Sequence, residues 1–214
     1  MRFILPIMLA VSLTACSGKT DQVEDCIDAP TDVVQNENVA SEPAKTYSPK
    51  FSELGAGEYV NYTGRDLYRH VHTDDLPSGI ALTEEIIPPK TLGAPPHIHE
   101  DEDEIFIVLS GTVHFLNGED EVVGKAGTVA SLPRGYYHGF WNPYDEPANL
   151  LLVIAPGHFE DFFTDVEAAL AEGGPKSPPE IGAIIAEKAA ERNVTIDMSK
   201  LPASGLALLG PPPE

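Results

Sequence analysis

Basic residues are scarce in this chain of 214 residues. Its 13 lysines and arginines are outnumbered by 34 aspartates and glutamates, and the formal net charge is -21. Nucleic-acid phosphates and anionic lipid headgroups attract basic surfaces, so this charge argues against electrostatic binding to either. No internal repeat of long period is visible. The length and the 42% of hydrophobic residues fit one folded domain. We expect this domain to have a small-molecule substrate and no nucleic-acid partner.

The N-terminal apolar stretch is too short for a transmembrane helix. It extends from Phe3 to Val11, whereas a spanning helix needs about 20 apolar residues. We therefore predict a cleaved signal peptide over residues 1–15. Leu13-Thr14-Ala15-Cys16 resembles the lipobox of bacterial lipoprotein signal peptides. That resemblance implies lipidation of Cys16, and the following serine implies an anchor in the outer membrane or periplasmic face of a Gram-negative cell.

Cysteines are few, and their number leaves alternatives open. Cys16 and Cys26 are the two in the sequence, so they could form one disulfide in an oxidising compartment. An ordinary secretory signal with an incidental cysteine is another alternative. Lipidation is favoured because Cys16 directly follows small residues after an apolar run. The membrane contact expected of this protein is through lipidated Cys16 only.

Three segments follow the signal peptide in the order tether, barrel and helices. Residues 16–46 are acidic and have few large apolar residues, which predicts a disordered tether. Residues 47–158 contain short apolar segments separated by turn residues, including the hairpin signal Asn117-Gly118, and this pattern predicts an all-β sandwich or jelly-roll barrel. The predicted strands are Leu67 to His72, Ile80 to Ile87, His97 to His99, Glu104 to Leu109, Thr112 to Leu116, Glu121 to Val123, Thr128 to Leu132, Tyr137 to Trp141 and Leu150 to Ala155.

Two C-terminal helices are predicted over residues 159–193. The first begins at Phe159 with aromatic residues at helical spacing, of which Phe162 and Phe163 are expected to cover the apolar face of the barrel. The second begins at Ser177-Pro178-Pro179-Glu180, a capping box with proline at the first helical position. Residues 194–214 form a proline-rich tail, expected to lie across the surface or on a partner subunit.

The most informative residues are His97, His99, Glu104 and His138. Side chains alternate between the two faces of a strand, so His97 and His99 point to the same side. If the acidic stretch 100–103 is a hairpin turn, Glu104 can face both histidines. His138 joins them only if the sheet closes on itself. Three imidazoles and one carboxylate suit Fe, Mn, Ni, Cu or Zn better than Ca or Mg.

The remaining histidines receive a different interpretation. Histidines on strands more often make structural hydrogen bonds than bind metal. His70 and His72 share the same-face spacing but lack the glutamate and glycine that follow His99. We therefore interpret His70, His72, His114 and His158 as structural, or in the case of His70 and His72 as pocket lining.

The two motifs resemble the paired signatures of the cupin superfamily. They read His97-x-His99-x4-Glu104-x6-Gly111 and Gly127-x5-Pro133-x-Gly135-x2-His138-x3-Asn142, with fifteen residues between Gly111 and Gly127. The resemblance implies a double-stranded β-helix (jelly-roll) barrel with two C-terminal helices, and it suggests a homodimer. It also implies that His97, His99, Glu104 and His138 bind a metal ion.

A narrower resemblance is to quercetin 2,3-dioxygenase-like cupins. It is carried by Pro96-His97-Ile98-His99, Glu102-Asp103-Glu104-Ile105-Phe106, Pro133-Arg134-Gly135 and Pro156-Gly157 with the following Glu160-Asp161-Phe162-Phe163. It implies oxygenative opening of a flavonol-like or other aromatic enol, with Glu104 as fourth ligand and catalytic base. Phe106, Val108, Phe115, Phe140 and Trp141 are candidates for an apolar pocket wall. Their alternative role is ordinary barrel core.

Fold alone does not assign the chemistry, so a second function stays open: a non-catalytic tethered module that binds a metal or a small carbohydrate.

A lipoprotein leaves the cytoplasm unfolded and acquires its metal outside. There, intrinsic affinity favours copper and zinc over manganese and iron. We therefore expect copper, nickel or zinc ahead of manganese or iron.

Overall fold

The structure, a computed structural model, describes residues 45–210. These residues form eleven strands and three helices, with short 3-10 helices at Gly157–Glu160 and Met198–Lys200. The strands are β1 (Glu58–Tyr62), β2 (Arg65–Val71), β3 (Ala81–Ile87), β4 (Thr91–His99), β5 (Asp103–Ser110), β6 (Thr112–Asn117), β7 (Asp120–Lys125), β8 (Val129–Leu132), β9 (His138–Asn142), β10 (Ala148–Ala155) and β11 (Val194–Ile196). The helices are α1 (Asp161–Ala171), α2 (Pro178–Ala190) and α3 (Ala203–Leu206).

Several predictions concern residues that the structure does not describe. The signal peptide over residues 1–15, the lipidation of Cys16 and its alternative pairing with Cys26 all lie outside the described residues. So do nearly all of the tether over residues 16–46 and the last four residues of the tail. Among residues 45–210, no helix has the length and apolar content needed to cross a membrane.

Two antiparallel sheets form the barrel. One has six strands in the order β1-β2-β3-β10-β5-β8, and the other has five in the order β11-β4-β9-β6-β7. Alternation of side chains explains the core between them. In β10, Ala148, Leu150, Leu152 and Ile154 are buried, and the residues between them are partly exposed. The predicted all-β double-stranded β-helix with C-terminal helices is confirmed, and a short third helix is added.

All nine predicted strands are present, eight of them with small shifts at their ends, whereas β4 begins six residues before the predicted His97; two further strands were not predicted. β1 pairs with β2 as the edge hairpin of the six-stranded sheet. β11 lies in the tail and pairs with β4, where Val194 is opposite His99 and Ile196 is opposite His97. Three residues carry too little alternation to identify a strand, so β11 could be recognised only from its partner.

The turn between the histidines and Glu104 is not a hairpin, which was the condition considered for bringing them together. β4 belongs to the five-stranded sheet and β5 to the six-stranded sheet, so residues 100–102 carry the chain from one sheet to the other. Glu104 therefore faces the histidines across the interior of the barrel. A turn that crosses between sheets has the same polar composition as a hairpin turn, and the sequence does not distinguish them.

The C-terminal helices close one side of the barrel. Ser177 and Glu180 form the predicted capping box at the start of α2, with the Ser177 N–H donating to Glu180 Oε2 at 2.8 Å. Phe162 and Phe163 of α1 are buried and pack against Tyr62 of β1. They belong to the main hydrophobic core together with residues of both sheets. The helices thus extend the barrel core.

Candidate metal centre

Four side chains from both sheets converge at one end of the barrel. His97 and His99 come from the end of β4, and His138 begins β9, where it is paired with His97. Glu104 lies on β5 in the opposite sheet. All four residues are buried, and one potential ligand atom from each lies within 4.8 Å of the others. The structure therefore brings together the four residues that the sequence selected as ligands.

Hydrogen bonds hold each imidazole in one orientation. Nδ1 of His97 is 2.8 Å from the Pro95 carbonyl oxygen, and Nδ1 of His138 is 3.0 Å from the Tyr136 carbonyl oxygen. A carbonyl oxygen only accepts hydrogen bonds, so each Nδ1 carries the proton and donates. The Nε2 atoms then present lone pairs to the centre of the cluster. This is the usual arrangement of metal-binding histidines.

Glu102 orients the third histidine. Its Oε2 lies 3.0 Å from Nδ1 of His99, and both residues are buried. The acidic stretch 100–103 was interpreted only as a turn, so the sequence analysis missed this role. The signal available was a carboxylate three residues after a candidate ligand. A carboxylate that accepts from a ligand histidine makes that imidazole more basic and therefore a stronger ligand.

The donor set fits a transition-metal cation. Nε2 of His99 is buried and has no hydrogen-bond partner among residues 45–210. Nε2 of His138 is 3.0 Å from Oε2 of Glu104, and Nε2 of His99 is 3.6 Å from Oε1 of the same residue. With the protons on Nδ1, these contacts bring lone pairs together, and a cation between them removes the repulsion. Three nitrogens and one oxygen suit a divalent transition metal.

The ionisation states also favour metal binding. Burial alone would raise the pKa of Glu104, but the hydrogen bond that Nε2 of His138 can donate when no metal is bound, together with the charges of the neighbouring histidines in that state, holds it at about 2. Burial, together with the neighbouring histidines, lowers the pKa of His97 to about 3. Glu104 is thus ionised and His97 neutral at neutral pH, and these are the states in which both side chains bind a metal.

A cavity adjoins the metal ligands inside the barrel. His97 and Glu104 form part of its wall, and its volume is about 60 Å³. Much of the remaining wall is apolar, including Phe106, Phe140 and Leu152 from the sheets. The C-terminal segment supplies the rest of the apolar wall, which consists of Phe159, Phe162, Phe163, Ile185, Ala189, Val194 and Ile196. The open side of the metal centre therefore faces an apolar space.

The predicted pocket wall is correct in part. Phe106 and Phe140 line the cavity, as expected. Val108 and Phe115 also point into the hydrophobic core, but they lie at a different level of the barrel and do not line the cavity. Trp141 points to the other face of its strand and packs with Leu201 of the tail.

Three polar residues of the cavity wall were not predicted. Arg65, Glu85 and Tyr62 line the same cavity, and each is at most 6% exposed. Nη1 of Arg65 lies 3.4 Å from Oε2 of Glu85. A charged residue on the inward face of a strand was the available signal for Arg65 and Glu85. The sequence did not indicate that these two positions pair.

The other histidines do not join the metal centre. Their contacts are with acidic and hydroxyl groups elsewhere in the barrel: His70 with Ser52 and Glu84, His72 with Glu58 and Glu160, and His114 with Glu121 and Tyr144. His158 is exposed. None of the four belongs to the His97, His99, Glu104 and His138 cluster, and none lines the cavity beside it.

Comparison with known proteins agrees with this arrangement. Residues 83–154 match the family model of the cupin domain, a range that includes all four candidate ligands. No curated protein matches the sequence.

Similar solved structures include three proteins of named function. One is a sugar phosphate isomerase of the cupin superfamily from Silicibacter pomeroyi, at 25% identity and a TM-score of 0.40, with 44% of this chain and 60% of the isomerase covered. The polyketide cyclase RemF from Streptomyces resistomycificus has 24% identity and a TM-score of 0.44, with 51% and 80% covered. A predicted oxalate decarboxylase from Thermotoga maritima has 24% identity and a TM-score of 0.42, with 46% and 90% covered. The domain match and the two-sheet fold of the described residues together support a cupin domain over residues 83–154.

Proposed function

We propose that the barrel is a metal-dependent dioxygenase that acts on an aromatic or other enol. The observation that carries this proposal is the position of Glu104, which is both a candidate ligand and part of the wall of the apolar cavity. An enol that enters the cavity reaches Glu104 and His97 before the two histidines behind them. The ligand set and the substrate space thus share one carboxylate.

Glu104 would accept the proton of the enol hydroxyl. A pKa of about 2 makes an ionised carboxylate a weak base, so this transfer requires a change in its surroundings. Burial is the largest influence that raises the pKa of Glu104, and a substrate that expels the remaining water strengthens it. A divalent metal held by the four residues supplies Lewis acidity toward the enolate oxygen and a route for reaction with dioxygen.

The size of the cavity limits the substrate. Its volume of about 60 Å³ is well below the roughly 150 Å³ of an apolar protein cavity that admits benzene. A three-ring flavonol therefore requires the wall formed by residues 159–196 to move outward. A smaller enol requires less movement. We accordingly favour a small enolisable substrate over a flavonol.

Metal binding without catalysis is the second candidate function. The observation that favours it is the small volume of the cavity, together with the Phe159 ring that packs edge-on against His99 at 4.5 Å between ring centroids. A carbohydrate is a poor match because so much of the cavity wall is apolar. The two candidates differ in one measurable property, which is consumption of dioxygen.

Oxygen uptake by metal-loaded protein tests the proposal. Purified protein is loaded separately with copper, nickel, zinc, manganese or iron and assayed with a panel of enols, from 1,3-diketones to flavonols. We expect uptake with at least one metal and its loss in Glu104→Ala. The matched control is Glu100→Ala, which removes an exposed carboxylate near the site. Uptake that survives Glu104→Ala would overturn the proposed base.

Metal content provides an independent check. We expect about one divalent ion per chain in the wild type and a large reduction in His97→Ala. Wild-type metal content in His97→Ala would contradict both candidate functions, because both require this site to hold the ion.

The proposal includes a lipid anchor at Cys16 and metal uptake outside the cytoplasm. The support is the lipobox-like sequence before Cys16. We expect membrane-bound protein to carry acyl chains at Cys16 and Cys16→Ser to release it into the soluble fraction. Elemental analysis of protein from the periplasmic face is expected to find copper, nickel or zinc. Stoichiometric iron would contradict that metal assignment.

A further inference from the structure

The cavity has a polar end that the metal ligands do not explain. Arg65, Tyr62 and Glu85 are buried in its wall, and the apolar residues Phe106 and Leu152 line the same space. Strand register places Glu85 opposite Leu150 of β10, and Leu150 opposite Val108 of β5. Val108 is four residues from Glu104, which is about 13 Å along a strand. The backbone of Glu85 thus lies at a different level of the sheet from Glu104, and both side chains reach the same cavity.

Arg65 has more hydrogen-bond donors than the protein uses. A guanidinium carries five N–H groups, and the hydrogen bond that Arg65 makes within residues 45–210 is the one to Glu85. Its length is 3.4 Å, whereas charge-assisted N–H to carboxylate bonds are about 2.7–2.9 Å long. An ion pair that served only to stabilise the barrel would gain from a shorter, bidentate contact. None of the Arg65 nitrogens is among the fully inaccessible, unpartnered side-chain atoms of residues 45–210, so its spare N–H groups open onto the cavity, where an acceptor can reach them.

Tyr62 adds a second donor at the same end. Its ring lies beneath the guanidinium of Arg65, with 4.9 Å between the Arg65 Cζ and the ring centroid. The residue is 6% exposed, and burial and neighbouring charges, with no hydrogen bond, account for the raised pKa of its hydroxyl. Two neighbouring donors without a protein acceptor therefore face one cavity.

Charge and shape together identify the acceptor. A divalent ion and Arg65 would bring three positive charges to the site, Glu104 brings one negative charge, and Glu85, whose pKa is raised by burial, brings at most one more, so a positive charge remains for a bound anion to offset. A carboxylate matches a guanidinium in a planar, bidentate geometry and can also accept from a hydroxyl. The apolar residues between the two ends suit a short hydrocarbon segment.

We propose that Arg65 and Tyr62 form a carboxylate-binding subsite, and that the substrate is a small enolisable monocarboxylate whose acid group is separated from its enol by an apolar segment. The enol end of this assignment rests on the proposed dioxygenase function. The carboxylate end rests on the unused donors of Arg65 and Tyr62.

The test measures binding of a probe that carries both groups. The probe is 4,6-dioxoheptanoate, a 1,3-diketone with a distant carboxylate, and its methyl ester and 2,4-pentanedione are the comparisons. All three are larger than the closed cavity and require outward movement of the wall formed by residues 159–196, so the comparison isolates the effect of the carboxylate. Calorimetry without dioxygen on the metal-loaded full chain measures affinity independently of turnover. We expect the acid to bind about 10- to 100-fold more tightly than the ester, the range for a hydrogen bond to a charged group.

Variants separate the subsite from a structural role. Arg65→Met is expected to remove the preference for the acid while leaving metal content and 2,4-pentanedione affinity unchanged, and Arg65→Lys is expected to restore part of it. Tyr62→Phe should reduce the preference several-fold. Lys125→Met, on the exposed face of β7, is the matched control and should change nothing. If Arg65→Met fails to fold because Glu85 loses its partner, Arg65→Met/Glu85→Gln replaces it with the same expected result.

The outcomes distinguish this subsite from the proposed function. Equal affinity of acid and ester in the wild type, no binding of the acid, or a preference that persists without Arg65 would each overturn the subsite. A preference for the acid without oxygen uptake on any substrate would support the subsite and contradict the dioxygenase. Uptake with 2,4-pentanedione but no preference for the acid would do the reverse.

Discussion

Removal of the Glu102 carboxylate is expected to weaken metal binding although Glu102 is not a ligand. Glu102 accepts the Nδ1 proton of His99 at 3.0 Å, and the two residues are 3% and 0% exposed. Glu102→Ala leaves that N–H buried without an acceptor, which costs about 1.5–3 kcal/mol for a hydrogen bond to a charged group. Loss of such a partner typically lowers metal affinity about 10- to 100-fold, or about 1.4–2.8 kcal/mol. The first figure is a cost to folding, and the second is the expected loss of metal affinity.

Metal-dependent thermal stability measures this effect. At a free metal concentration of 100 times the wild-type Kd, binding stabilises the wild type by about 2.7 kcal/mol. A variant with 100-fold weaker affinity gains only about 0.4 kcal/mol under the same conditions. We expect Glu102→Ala to lose most of the metal-induced rise in Tm, and chelator competition to give the corresponding change in Kd.

Two further variants show whether the effect arises from the hydrogen bond. Glu102→Gln keeps an acceptor oxygen and should retain most of the affinity. Glu100→Ala removes an exposed neighbouring carboxylate and should leave the affinity unchanged. An unchanged Kd in Glu102→Ala, or an equal loss in Glu100→Ala, would refute the role assigned to the His99 contact.

Three other predictions concern stability. Gly111 and Gly127 have φ of 75° and 90°, so alanine at either position lowers the free energy of unfolding by about 1–2 kcal/mol. Gly111→Ala should cost more, because its Cβ would lie 2.5 Å from a backbone carbonyl oxygen, whereas the Cβ of Gly127→Ala meets nothing within 4 Å. Denaturant unfolding of the two variants measures the difference. Ser177→Ala removes half of the capping box and should cost about 1 kcal/mol in the same assay. Hydrogen bonds from Arg134 hold the pKa of Asp103 at about 2, below its ordinary value. The ionised Asp103 therefore stabilises the folded protein fully above about pH 4, and this stabilisation is lost as the pH falls toward 2. Stability curves of wild type and Asp103→Asn should therefore converge in acid; a constant difference down to pH 2 would contradict this assignment.

Local sequence determined much of the barrel. Short apolar segments bounded by turn residues identified nine strands, and side-chain alternation placed His97 and His99 on one face. The capping box at Ser177 marked the start of α2. These predictions depend on residues within a few positions of one another, where backbone geometry alone fixes which side chains share a face.

The tertiary structure decided how these local elements meet. The sequence contained Glu104 and His138 but did not indicate that Glu104 reaches the histidines across the barrel, because a turn between sheets and a hairpin turn have similar residues. It also gave no sign that β11, far along the chain, completes the sheet beside His97 and His99. Arg65, Tyr62 and Glu85 share a cavity only because strand order and register place them there, and alternation reports the side of a sheet without the level along the barrel. Side-chain chemistry was thus available from the sequence, whereas the distances that turn it into a site came from long-range strand pairing.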